Sequence, residues 1–252
     1  AIDTLDKYHG QATGIFTCDE HYAGKNPSQG TELCTVAEYM FSMETLLSLT
    51  GDVQFGDRLE RIAFNNLPTA FKPDMWAHQF DQQANQVICD ANEPPIYTIN
   101  FAGSNTYGLE PCYGCCTANM HQAWPKFTSH LWMRKGNDEL AAVAYAPNIL
   151  NTKIKNVPVQ IELKTEYPFD ENLFFTVKAE KPVEFTLLLR IPQWTNKPRL
   201  KIGNEKLLTL EAGTFYSIKR QWSGTTKLKL SLPMSVKIQR RYHNSISIEK
   251  GP

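Results

Sequence analysis

From Trp132 onward the hydrophobic pattern repeats every two residues. The runs "VPVQIELKTEYP" (157–168), "NLFFTVKAE" (172–180), "EFTLLLRIP" (184–192), "TFYSIKRQW" (214–222) and "TKLKLSLP" (226–233) alternate apolar with polar residues or are rich in β-branched and aromatic ones. "ELAAVAYAPNI" (139–149) and "VKIQRRY" (236–242) extend the series, and turn residues separate the runs. Successive strand side chains point to opposite faces, so each run can offer one face to a core. So many short strands at this spacing predict an antiparallel β-sandwich or jelly-roll layer.

The first half follows a different period. In "CTVAEYMFSMETLLSLTG" (34–51), Val36, Met40, Met43 and Leu47 recur at helical steps, and Gly51 supplies a stop. In "FGDRLERIAFNNLPTAF" (55–71), Leu59, Ile62, Ala63 and Leu67 share one face ahead of Pro68. These two segments predict an antiparallel helical pair with a short turn. Residues 72–111 are rich in Pro, Gly, Asn and amides and read as a long irregular insertion, the kind of segment that often carries function. A further helix is expected from about Cys116 to Phe127. The chain therefore reads as α+β, with domains at 1–131 and 132–252.

Charge excludes some functions. Lys and Arg (26) balance Asp and Glu (26), so no basic surface marks a nucleic-acid or anionic-membrane binder. No apolar run approaches the roughly 18 residues that span a bilayer. The 13 Phe, 10 Tyr and 5 Trp suit stacking on sugar faces, and they suit a thick sandwich core equally. The ends, "AIDTLDKYHG" and "SISIEKGP", read as cut rather than finished.

Six cysteines stand at Cys18, Cys34, Cys89, Cys112, Cys115 and Cys116. Neighbouring residues cannot reach ordinary disulfide geometry without strain, so Cys115 and Cys116 point to a soft metal or a reactive centre. Glu32 and Cys34 lie two apart where a helix begins. Inside a helix such residues do not share a face, but at a helix start both can aim at one spot. The same holds for Cys115 and Cys116. Glu32, Cys34, Cys115 and Cys116 together would offer one carboxylate and three thiolates, a set suited to tetrahedral Zn²⁺. The competing reading is that these cysteines pack as small hydrophobes.

The combination of "GTELCTVAEYMFSMETL" (30–46), "DRLERIAFNNLP" (57–68) and "CCTANMHQAWPKF" (115–127), followed by "TEYPF", "LLLRIPQW" and "LPM", resembles the β-L-arabinofuranosidase glycoside hydrolase family. The resemblance runs from about Gly14 to Pro252. It implies the C-terminal part of an (α/α)6 barrel followed by an antiparallel β-sandwich, and so a piece of a longer enzyme. It also implies a zinc held by Glu32, Cys34, Cys115 and Cys116, with Cys115 as nucleophile of a retaining glycosidase. The family's acid/base glutamate falls by offset on Phe16; the nearest carboxylates are Glu20, chosen here, and Asp19. Thr117 and Ala118 stand where the arabinofuranosidases carry prolines, so the sugar itself is left open.

Other residues are weaker candidates. His78, Gln79, Gln83 and Asn85 could line a sugar pocket or form an exposed polar strand. His78, Gln83 and Asn119 are taken as substrate-binding, with His121 a packing histidine. Trp76 and Trp124 are either stacking walls or core. Arg190 braces a strand end or a domain contact, and Cys18, Cys89 and Cys112 are buried or incidental. The expected partner is an oligo- or polysaccharide, with no nucleic acid and no membrane, and a homodimer is admissible. The expected compartment is periplasmic or extracellular, with the cytoplasm left open. Two other classes compete: a zinc-stabilised carbohydrate-binding or structural module without turnover, and a redox-active dithiol. Lack of a βαβ pattern argues against the dithiol.

Overall fold

The computed structural model describes residues 1–91, 93–95, 97–109 and 114–252. Cys112 lies outside them. The chain is mixed α and β and divides into two compact units. One comprises residues 1–45, 58–128 and 238–248, the other 46–57, 129–237 and 249–252. Among the described residues, no helix is long and apolar enough to cross a membrane.

In the first unit, helix α1 (Ile2–His9) was not anticipated from the sequence; it is eight residues long and none of them is fully buried. Strand β1 (Gly30–Glu32) runs directly into helix α2 (Leu33–Thr50). The residues Leu33, Val36, Ala37, Met40, Met43 and Leu47 are almost fully removed from water, as the helical spacing anticipates. Gly51 ends the helix in a left-handed conformation, its N–H donating to the Leu47 carbonyl at 2.8 Å. Helix α3 (Val53–Arg61) passes through a π-helical turn (Ile62–Asn66) into the short α4 (Leu67–Thr69). Leu59, Ile62, Ala63 and Leu67 are wholly buried, so the anticipated apolar face is real.

Residues 72–109 are largely irregular where described. They include the short β2 (Asp81–Gln83), which pairs antiparallel with β1 in the register Gly30↔Gln83, Thr31↔Gln82, Glu32↔Asp81. Helix α5 (Gly114–Ser129) starts two residues before the predicted onset and contains Pro125, so one helical hydrogen bond is missing.

The second unit is built on one eight-stranded sheet. Its strands are β3 (Trp132–Lys135), β4 (Glu139–Ala142), β5 (Asn148–Ile154), β6 (Val157–Thr165), β7 (Asn172–Ile191), β8 (Arg199–Ile202), β9 (Leu208–Thr209) and β10 (Thr214–Ser231). Sequence runs that read as separate strands are fused here. "NLFFTVKAE" and "EFTLLLRIP" form the single β7, and "TFYSIKRQW" and "TKLKLSLP" form the single β10. The punctuating Pro182 and Gly224 mark an irregularity rather than a chain reversal. Register jumps from Val183↔Trp222 to Ala179↔Gly224, and Gly224 takes the positive φ that the bulge requires. The N-terminal part of β7 pairs with β6, and its C-terminal part pairs in parallel with β4. A small hairpin of β11 (Lys237–Arg240) and β12 (Ile246–Glu249) follows.

Leu47 and Phe55 pack with Ala141, Val143, Met133, Leu188 and Phe215 within this unit. Arg190 is fully buried there. Its Nε donates to the Val143 carbonyl at 2.6 Å, its Nη1 pairs with Asp57, and its guanidinium lies 5.5 Å from the Tyr145 ring centroid. Asp57 also accepts from the Gln193 N–H at 2.8 Å. Arg190 thus ties the end of β7 to the segment 46–57. Gly56 is required beside it, since a Cβ there would stand 2.6 Å from Arg190 Cδ.

Candidate metal and thiolate site

Glu32 is the last residue of β1, and Cys34 sits in the first turn of α2. Cys115 and Cys116 occupy the first turn of α5. The transition from extended to helical backbone lets Glu32 and Cys34 converge, which an uninterrupted helix would forbid. One donor atom from each of the four residues lies within 4.8 Å of all the others. Cys34 Sγ and Cys116 Sγ are 3.5 Å apart, far beyond a disulfide bond. Sulfurs sharing a tetrahedral Zn²⁺ would be roughly 3.8 Å apart, given Zn–S near 2.3 Å. The donor set and its spacing therefore fit a metal of zinc's kind.

The electrostatics point the same way. Without a cation, the Cys34 thiol is pushed far up by its hydrogen bond with Cys116, by burial and by Glu32. Burial raises Glu32, with the nearby charges of Glu20 and Asp19 adding to it, while Cys34 opposes the shift. Burial and Cys34 also raise Cys115. A divalent cation among these donors reverses that logic and holds thiols as thiolates. Two helix starts aimed at the cluster favour negative charge there as well. Accessibility differs sharply within the vicinal pair: Cys116 is buried and Cys115 is exposed.

The surroundings place the other candidates. Asn119, one turn past the cysteine pair, hydrogen-bonds Cys34, and it also accepts from the Gln122 amide. His78 is buried; its Nε2 lies 2.9 Å from Thr117 Oγ1 and its Nδ1 faces the Gln79 carbonyl at 3.3 Å. His78 therefore braces the residue following Cys116. Gln83 is buried on β2, where its Nε2 donates to Asn105 Oδ1 at 3.3 Å. Asn85 is exposed, and its N–H donates to the Pro27 carbonyl at 2.9 Å. His121 is exposed, Trp76 is 75% exposed, and Trp124 meets Phe127 edge-on. Cys89 is exposed, and Cys18 is half-buried; burial, then the charges of Glu32, Asp19 and Glu20, raise its thiol.

Glu20 and Asp19 are in contrasting settings. Glu20 is exposed with φ +73°, a conformation uncommon for a residue with a Cβ. Asp19 is fully buried beside His21, with Nδ1 to Oδ1 at 2.9 Å, and burial raises its carboxyl.

A third carboxylate escaped sequence reasoning. Asp81, embedded in an amide-rich run, is the cross-strand partner of Glu32 and is fully buried. Neither oxygen has a hydrogen-bond partner among the described residues. Burial, then the charges of Asp19 and Glu32, push it up to about 8. A Cβ on Gly30 would overlap the Asp81 carboxyl, so glycine at that position makes the space it occupies. Only the β1–β2 register reveals this, and nothing in the local sequence announces it.

Residues 139–234 match the family model of the GH127 β-L-arabinofuranosidase middle domain. No curated sequence matches the chain. Among solved structures, the GH127 β-L-arabinofuranosidase Ara127N-Se from Geobacillus stearothermophilus T6 is similar over 99% of this chain and 41% of its own, with TM-score 0.79 and 20% identity. A structure described as a glycoside hydrolase aligns over 90% of this chain and 38% of its own, with TM-score 0.76 and 19% identity. The GH127 β-arabinofuranosidase BT3674 aligns over 95% and 40%, with TM-score 0.74 and 19% identity. The chain shares the fold of these proteins and spans about two fifths of their length.

Proposed function

We propose that this chain carries the thiolate-and-metal part of a retaining glycoside hydrolase acting on β-L-arabinofuranosidic or related plant-polysaccharide linkages. In this reading residues 1–131 belong to an (α/α)6 barrel, and the sheet unit is its following β-sandwich. The observation that carries it is the inequality within the cluster: four donors converge, and Cys115 is the exposed one.

Zinc is the metal that the donor set suits, with Glu32, Cys34, Cys115 and Cys116 as its residues; when bound, it would keep the sulfurs ionised at neutral pH. The Cys115 sulfur attacks the anomeric carbon, forming a C–S bond as the glycosidic C–O bond breaks. A carboxylic acid, assigned to Glu20, gives its proton to the leaving oxygen. Water then attacks the same carbon, the C–S bond breaks, and the carboxylate takes the water's proton. Two inversions give retention. Cys116, Cys34 and Glu32 keep the site's geometry, and Asn119 and His78 fix the helix that presents the nucleophile.

A closed four-donor site is also how structural zinc looks, so a metal-holding module without turnover is the competing reading. Hydrolysis of an aryl β-L-arabinofuranoside, with mass spectrometry of the trapped protein, separates the two. The glycosidase reading expects a sugar adduct on Cys115 that Cys115→Ser abolishes. Zinc with neither turnover nor adduct would leave only the module.

A further inference from the structure

The β1–β2 ribbon has a second face. Thr31 and its cross-strand partner Gln82 point away from Glu32 and Asp81, because side chains alternate along a strand. On that side lies a hollow of about 260 Å³, lined among others by Thr31, Gln82, Asn65, Asn66, Thr69 and Tyr107.

Among the described residues, its lining contains no Asp, Glu, Lys, Arg or His. Nothing there can balance a phosphate, a carboxylate or an ammonium group, and nothing is a good metal ligand. Amides and hydroxyls instead offer donors and acceptors side by side, the complement of a sugar hydroxyl. Their orientations are already fixed. Thr13 Oγ1 donates to Asn66 Oδ1 at 2.9 Å, Asn66 donates to Gln82, Gln82 donates to Thr69, and Tyr107 OH donates to the Thr69 carbonyl at 2.8 Å. The ring of Tyr107, 41% exposed, supplies an apolar wall. The volume is that of about nine water molecules, the scale of one sugar ring.

We propose that this hollow is a second carbohydrate subsite, binding one uncharged sugar residue through the Gln and Asn amides and the face of Tyr107. Choosing a sugar over other neutral polyols rests on the glycosidase reading. The lining itself is independent of the thiolate cluster.

The test uses the protein carrying Cys115→Ser, to prevent turnover, and an uncharged arabinotriose as probe, titrated by calorimetry. Tyr107→Ala and Asn65→Ala in that background should each weaken binding by about tenfold, with unfolding temperatures matching the Cys115→Ser parent. Unchanged affinity overturns the proposal. So does a trigalacturonate that binds as tightly as the uncharged probe and responds to the same substitutions. If either variant fails to fold, saturation transfer from the Tyr107 ring of the Cys115→Ser parent to arabinotriose decides: its presence supports the subsite, and its absence overturns it. An adduct-free, inactive native protein would refute the glycosidase while leaving this binding result standing.

Discussion

Glu32 and Asp81 face each other across the β1–β2 ladder, one a member of the four-donor cluster and the other a buried carboxyl without a hydrogen-bond partner among the described residues. Two acidic groups placed so closely would repel each other if both were ionised and no cation were near. The arrangement is coherent when the thiolate cluster holds a metal, or when Asp81 keeps its proton.

Metal-free protein should therefore show a stability slope to which Asp81 contributes beside the raised Glu32 and Asp19 carboxyls. Its folded pKa, about 8, lies above the ordinary value near 3.9, so the folded state binds the proton more tightly. The contribution is full below about pH 4, declines as pH rises toward about 8, and levels off beyond. For this one group the slope is at most about 1.4 kcal/mol per pH unit. Denaturant melts of metal-free protein across that window should show the decline, and Asp81→Asn should flatten it. An unchanged slope in Asp81→Asn would place the titration elsewhere.

Gly30→Ala should be costly for a specific reason. The new methyl overlaps the Asp81 carboxyl, and overpacking of this kind costs about 1–3 kcal/mol. The penalty should shrink in Gly30→Ala/Asp81→Ala, where the obstructing group is gone. Additive losses in that double-mutant cycle would mean that the two positions do not compete for space.

In the sheet unit, Asp57→Ala leaves the buried Arg190 guanidinium without its carboxylate. Removing one partner of a buried pair typically costs about 3–5 kcal/mol. Asp57→Ala/Arg190→Met should recover much of that, because a well-filled apolar side chain replaces the stranded charge. Equilibrium unfolding of the three variants checks this. A double variant no better than Asp57→Ala would show that Arg190 matters through its bond to Val143 rather than through the ion pair.

Much of the fold could be read because burial writes a period into the sequence. Val36, Met40, Met43 and Leu47 announced α2, and Leu59, Ile62, Ala63 and Leu67 announced the helical run after it. The convergence of Glu32, Cys34, Cys115 and Cys116 followed from the rarity of vicinal thiols and from where the two helices begin. What escaped depended on pairing between distant segments. Pro182 and Gly224 looked like chain reversals and proved to flank an irregularity in two long strands, since alternation does not show which strand lies alongside. Asp81 looked like one more polar residue until the ladder set it opposite Glu32. Helix α1, eight residues long and with none of them fully buried, is too short for its period to stand out.

The central claim is that Glu32, Cys34, Cys115 and Cys116 act as one metal-thiolate site. Zinc content of the purified protein, measured beside Cys116→Ser and Glu32→Ala, tests it most directly. The account predicts about one zinc per chain, with most of it lost in both variants. A zinc-free native protein, with its thiols alkylated independently of Glu32, would contradict it.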